Sequence, residues 1–68
     1  METKAIKDVK KGEFFTLKNY GEYPQDARVY VRGDYERSGK KYSCYKYTDT
    51  NHETFLKGNR LVFVGFTF

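Results

Sequence analysis

One cysteine, one proline, one histidine and no long apolar run: these scarcities bound what this 68-residue chain can be. Cys44 alone can form neither an internal disulfide nor a cysteine-rich zinc site, and it fits a reducing compartment. No stretch approaches the roughly 18 consecutive apolar residues of a membrane helix, and the charged first residues lack the apolar centre of a signal peptide. A cytoplasmic location with no membrane partner is expected. His52 stands near Asp49 and Glu53 but has no second histidine or paired cysteine, so neither a metal nor another cofactor is expected. No nucleophile with an adjacent base, glycine-rich phosphate loop or carboxylate pair stands out, which argues against an enzyme.

With Pro24 the sole proline, and neither a repeat nor a low-complexity run, residues 1–68 read as one small domain without a linker. A chain this short hides only about 60% of its extended surface on folding, leaving no room for a deep catalytic cleft. Hydrophobic residues make up 38% and charged residues 32%, so the core depends on the 19% that is aromatic. Large rings replace several aliphatic side chains each.

Glycines supply the punctuation: Gly12, Gly21, Gly33, Gly39, Gly58 and Gly65 cut the chain into pieces too short for long helices. Met1 to Lys11, with Ala5, Ile6 and Val9, fits either a helical turn or an irregular strand. Glu13 to Lys18 alternates, with Phe15 and Leu17 on one face and Phe14, Thr16 and Lys18 on the other. Asn19 to Asp26 is a surface loop. From Ala27 to Tyr47 a long hairpin is expected, turning at Ser38 and Gly39, with Val29 and Val31 inward and Arg28, Tyr30 and Arg32 outward. Uninterrupted pairing from the Arg37/Lys40 turn would place Val31 opposite Lys46. A bulge at Arg32 and Gly33 instead brings Val31 opposite Tyr45 and Val29 opposite Tyr47. Thr48 to Glu53 is a polar loop or short turn, capped by Asn51 or Thr50, and leads to a brief strand at Thr54 to Leu56. After a turn at Lys57 to Asn59, Arg60 to Phe68 is apolar on both faces and reads as a central strand bent at Gly65. Phe15, Leu17, Val29, Val31, Val62, Val64 and Phe66 are the expected core.

Thirteen basic residues oppose nine acidic ones, and the whole net charge of +4 falls between Arg28 and Lys46. That segment holds Arg28, Arg32, Arg37, Lys40, Lys41 and Lys46 against Asp34 and Glu36, whereas the rest of the chain is balanced. Tyr30, Tyr35, Tyr42, Tyr45 and Tyr47 lie in or beside it, and every phenylalanine lies outside it. Phenylalanines should therefore fill the interior while tyrosines line a basic outer ribbon. Cations to neutralise phosphates beside rings on which bases stack are what nucleic acid requires. The candidate contacts are Arg32, Arg37, Lys40, Lys41 and Lys46 for phosphates and Tyr30, Tyr35 and Tyr42 for bases. An ordinary solvated hairpin, whose lysines protect its edge, accounts for the same residues. Arg32, Gly33 and Asp34 also spell a tripeptide displayed by some adhesion proteins; a bulge with Asp34 paired to a neighbouring cation is the more physical reading. Cys44 is expected to be a packing residue.

The run Asp8, Val9, Lys10, Lys11, Gly12, Glu13, Phe14, Phe15 resembles the approach to the first strand of small SH3-like barrels, in which an apolar segment, a glycine and an acidic residue precede that strand. The chain as a whole resembles the short proteins common in bacterial and phage genomes. It departs from cold-shock and other oligonucleotide-binding barrels by lacking their glycine and phenylalanine stacking motif. The resulting expectation is an all-β fold of about five short antiparallel strands, forming a small, partly open SH3-like barrel around a long central hairpin. Functionally, a non-enzymatic module binding DNA or RNA is expected, with a protein partner or second copy joining an edge strand as the alternative.

Overall fold

The computed structural model describes residues 2–68 and is built from six strands: β1 (Glu2–Ala5), β2 (Phe14–Phe15), β3 (Tyr30–Glu36), β4 (Lys41–Lys46), β5 (Glu53–Lys57) and β6 (Leu61–Val64). Short 3-10 turns at Ile6–Asp8 and Asp26–Arg28 precede β2 and β3, and no α-helix occurs among the described residues. None of those residues therefore forms a helix long and apolar enough to cross a membrane.

Every pairing is antiparallel. One sheet contains β1 and β6, the other runs β2-β3-β4-β5. A single bridge stitches them together: the Thr16 amide donates to the Phe63 carbonyl at 3.0 Å and the Phe63 amide to the Thr16 carbonyl at 2.9 Å. So β6 lies between β1 and the continuation of β2, which makes it central, as its two apolar faces imply. Gly65, at φ 82°, turns the chain away immediately afterwards. Amides of Ile6 and Lys7 donate to the carbonyls of Arg60 and Gly58, fastening the first 3-10 turn to the β5–β6 turn. The described strands curl around one core without closing into a continuous barrel.

That core is Ile6, Val9, Phe15, Cys44, Leu56 and Val62, with Leu17, Tyr30, Tyr42 and Val64 packed against it. Met1 to Lys11, undecided from sequence, is thus a strand followed by a turn whose Ile6 and Val9 are both buried; Met1 lies outside the described residues. Thr16, placed outward by simple alternation, is 1% exposed beneath the β6 bridge, and its hydroxyl donates to the Lys18 carbonyl at 2.7 Å.

Pairing within the hairpin shifts between Arg32 and Tyr35, which is the bulge expected at Gly33. Val31 faces Tyr45 as expected, and the Tyr47 amide donates to the Val29 carbonyl at 3.0 Å. The bulge lets Gly33 lie against β4, where a Cβ would stand 2.7 Å from the Ser43 carbonyl oxygen. Two details of the expected hairpin are corrected. The residues Asp26–Arg28 form a 3-10 turn, so β3 begins at Tyr30 and not near Ala27.

The second correction concerns the outward residues: Val29 and Val31 are buried as expected, but Tyr30 and Arg32 are half-buried and do not face solvent. Tyr30 is paired with Phe15 and Lys46, and Arg32 with Cys44, so Tyr30 and Arg32 lie on the side of the sheet that covers the core. Val29 and Val31 are buried on the opposite side, which also carries Phe14, Tyr45 and Tyr47. There Phe68 returns from the C-terminal segment to sit 5.0 Å from Phe14 and 4.8 Å from Tyr47, ring centre to ring centre. Both faces of β3 are therefore covered by apolar groups, and Phe66, half-buried beyond Gly65, is not part of the main core.

The separation of phenylalanine inside from tyrosine outside does not hold. Phe14, Phe55 and Phe68 remain 39%, 47% and 45% exposed, while Tyr30 stacks on Phe15 at 5.8 Å and 20°. A phenol can bury its ring while its hydroxyl reaches water, so tyrosine serves at the margin of a core too small to enclose every ring.

Candidate nucleic-acid interface

Three local devices shape the hairpin surface. First, the bulge places Tyr35 opposite Tyr42, with ring centres 4.7 Å apart and planes inclined at 51°. Second, the Arg32 guanidinium carbon lies 4.4 Å from the Tyr42 ring centre, and its Nη1 donates to the Gly33 carbonyl at 2.8 Å. Arg32 Nε is buried without a hydrogen-bond partner among the described residues. Arg32 therefore braces the bulge and the Tyr42 ring, and its charge is partly committed to that task. Third, the turn closes with Lys40 at φ 51°, its amide donating to the Arg37 carbonyl at 3.3 Å, while Ser38 Oγ donates to Glu36 Oε1 at 2.6 Å.

Around this stem the expected contact residues divide into groups. Arg37 and Lys40 are exposed at the tip, beside the half-exposed Tyr35. Lys41 is also exposed but lies on the opposite face from Tyr42, between Glu36 on β3 and Lys57 on β5. Two lysines directly opposite one another repel, and Glu36 on the other flank offsets part of that repulsion. Tyr30 and Lys46 pair at the far end of the hairpin. Six residues of β3 separate them from the tip, about 20 Å of extended chain, which is more than a Debye length at physiological salt. The eight residues therefore do not form one patch: Arg32, Tyr35, Arg37, Lys40 and Tyr42 cluster at the tip, Lys41 lies toward the β5 edge, and Tyr30 with Lys46 is remote.

Among the described residues the ion pair is Lys11 with Asp34, at 2.5 Å on the surface. Lys11, by hydrogen bond and by charge, holds the Asp34 carboxyl below its ordinary value, with a smaller contribution from Arg32. The Arg32, Gly33, Asp34 tripeptide is accordingly part of a bulge with its acid engaged locally. None of Arg37, Lys40, Lys41 and Lys46 has a carboxylate within ion-pairing distance among the described residues.

Sequence reasoning missed other cations. Lys57 and Arg60 join Lys41 around a depression of about 280 Å³ at the β5 edge, lined also by Phe55 and Leu56. Lys18 and Arg28 join Lys46 around a crevice of about 110 Å³. Charge counting along the chain hid both groups, because each combines cations of the basic segment, Lys41 in one and Arg28 with Lys46 in the other, with Lys57, Arg60 and Lys18 from the balanced remainder. His52 serves through its backbone: its carbonyl accepts from the Lys46 amide at 3.2 Å and its amide donates to the Asp49 carbonyl at 3.0 Å. The turn cap there is Asp49, not Asn51 or Thr50, since Asp49 Oδ1 accepts from the Asn51 amide at 3.1 Å. Among the described residues no three His, Cys, Asp or Glu side chains converge to hold a metal ion.

The chain matches no protein-family model, no curated protein and no solved structure.

Proposed function

We propose that this domain is a non-enzymatic, cytoplasmic module that binds single-stranded DNA or RNA through the β3–β4 hairpin. One arrangement supports the reading: a Tyr35 ring 46% exposed and braced at 4.7 Å by Tyr42, beside the tip cations Arg37 and Lys40, which no carboxylate neutralises among the described residues. In this reading Tyr35 stacks on a base with Tyr42 behind it. Arg37, Lys40 and, around the edge, Lys41 neutralise phosphates, and Arg32 keeps Tyr42 in place. Tyr30 and Lys46 meet a more distant part of the strand. Stacking contributes about 1–3 kcal/mol per base, and each phosphate contact adds to the salt dependence. The curled strands are read as a partly open barrel of the SH3-like kind that carries this hairpin.

The test is a fluorescence-anisotropy titration of labelled single-stranded and duplex oligonucleotides across a salt series. Binding to single strands should weaken linearly in log salt. Replacing Arg37, Lys40 and Lys41 by glutamine should flatten that slope by about 2, from roughly 0.7 per phosphate contact. An unchanged slope removes the hairpin from the interface.

A second reading is favoured by β5, whose outer side pairs with no strand among the described residues and which carries Phe55 at 47% exposure. A second copy or a protein partner adding a strand there would bury that ring. A concentration-dependent dimer in sedimentation, with no salt-dependent oligonucleotide binding, is the outcome that supports it.

A further inference from the structure

At the end of the hairpin remote from the tip, three segments bring positive side chains to one crevice. Lys18 follows the buried Thr16 as the chain leaves the sheet, Arg28 ends the second 3-10 turn, and Lys46 ends β4 opposite Tyr30. The crevice, about 110 Å³, is lined by these cations with Leu17, Tyr20, Ala27 and Tyr30, and no carboxylate is among its walls. Gathering three like charges without a counter-charge opposes folding, and a bound anion would relieve it. Tyr30 forms a firm wall because its ring stacks on the fully buried Phe15.

Next to this crevice lies a wider depression of about 390 Å³, lined by Tyr20, Tyr23, Pro24, Gln25 and Arg28. The two share Tyr20 and Arg28, and the Arg28 guanidinium carbon sits 5.2 Å from the Tyr20 ring centre, at their common wall. Tyr23 offers a ring that is 76% exposed, and Pro24 beside it is buried and rigid. Gln25 supplies an amide able both to donate and to accept. One compartment thus has the charge and size for a phosphate group, the other a flat apolar surface and an amide suited to a heterocyclic base. Together they fall in the size range of small-ligand sites, about 300–1,000 Å³.

We infer that this paired site binds a phosphorylated nucleoside, its phosphate among Lys18, Arg28 and Lys46 and its base against Tyr23 and Gln25. The site shares Tyr30 and Lys46 with the proposed strand path but uses none of the tip residues Tyr35, Arg37 and Lys40, so the two readings can fail separately. The same chemistry is presented by a free nucleotide and by the phosphorylated end of a strand.

Two-dimensional amide NMR of the whole chain at low salt tests it, with adenosine monophosphate, adenosine, inorganic phosphate, and a short oligonucleotide with or without a 5′ phosphate. Saturable shifts confined to residues 17–30 and 46 with the monophosphate are expected. Adenosine and inorganic phosphate alone should each bind about tenfold more weakly or worse. Lys18→Gln and Lys46→Gln, at exposed and half-exposed positions, should each weaken monophosphate binding by about tenfold at unchanged thermal stability. Tyr23→Ala should weaken the monophosphate but not inorganic phosphate. Arg37→Gln with Lys40→Gln should leave the crevice unaffected, so that failure of the hairpin reading and failure of this one are told apart. If the monophosphate binds as tightly as the 5′-phosphorylated strand, the free nucleotide is the natural source; if only the phosphorylated strand binds, the source is a strand end. Absence of saturable shifts with every phosphorylated probe, or affinity indifferent to both lysine substitutions, overturns the inference. Inorganic phosphate binding as tightly as the monophosphate overturns the nucleoside assignment.

Discussion

Replacing Gly33 by alanine perturbs the feature on which the hairpin register depends. Gly33 does not need a left-handed backbone; it needs the absence of a side chain, because a Cβ would lie 2.7 Å from the Ser43 carbonyl oxygen and 3.7 Å from Tyr45 Cδ1. Ordinary contact begins near 3.5 Å, so the new methyl is about 0.8 Å too close to a backbone atom that is itself held in the β-ladder. Rotation of a side chain cannot relieve that clash. The strands must part at the bulge or the register must slip, at a cost of about 1–3 kcal/mol, typical of overpacking. For a domain of this size each kcal/mol lowers Tm by about 4–8 °C. Gly39→Ala provides the internal control: a Cβ there meets nothing nearer than Glu36 Cγ at 3.8 Å, and its φ lies outside the left-handed region. It should be neutral or stabilising by up to about 1 kcal/mol through the unfolded chain. Urea denaturation followed by circular dichroism measures both variants. Equal stability of Gly33→Ala and the parent would refute the close approach at the bulge, and so would an equal loss from Gly39→Ala.

Phe15→Ala removes a ring that is fully buried and on which Tyr30 stacks; a loss of about 3–5 kcal/mol should leave so small a domain largely unfolded at 25 °C, seen as loss of amide dispersion in NMR. Burial raises the Cys44 thiol above its ordinary value, against smaller opposing effects from the Gly33 backbone and Arg32. Because the unfolded thiol ionises first, the stability this contributes is intact below the unfolded value near 9.0 and is lost as pH rises through the folded one. Denaturation midpoints from pH 8 upward should fall less in Cys44→Ala than in the parent, and the native thiol should resist Ellman's reagent until the chain unfolds. Asp34 has the opposite sign. Its carboxyl, lowered by Lys11, favours the folded state above the ordinary value of 3.8 and ceases to do so as pH falls through the lowered one. Lys11→Gln should move the NMR titration of Asp34 back toward 3.8, and an unmoved titration would assign the shift to another group.

The bulge was legible in the sequence because only one pairing spares Val31 a lysine, and only one residue nearby accepts the crowding. Which side of β3 faces the core was not. Val29 and Val31 alternate with Tyr30 and Arg32, and alternation identifies two faces without saying which is inner when both are covered. Here Phe14, Tyr47 and Phe68 shelter one side and the main core the other, an outcome set by a C-terminal segment whose Thr67 amide reaches back to the Glu22 carbonyl at 2.7 Å. Ile6 and Val9 escaped assignment for a geometric reason. Residues three apart share one side of a 3-10 turn, so both are buried in a segment too short to show any period. Thr16 reads as an outward polar residue because its burial depends on β6, contributed almost fifty positions later.

The arrangement of cations follows from the same topology. A hairpin seven residues long on one strand separates charges that are close in sequence. The strand order then gathers others that are far apart: Lys18 with Lys46, and Lys41 with Arg60. A basic segment read as one ribbon becomes a tip and two flanking clusters, each combining positive charge with an aromatic ring. Such spacing suits an extended polyanion better than a compact one. On the proposed function, a flexible strand carries phosphates from the tip toward Lys46 while exposing bases to Tyr35 near one end and Tyr23 near the other.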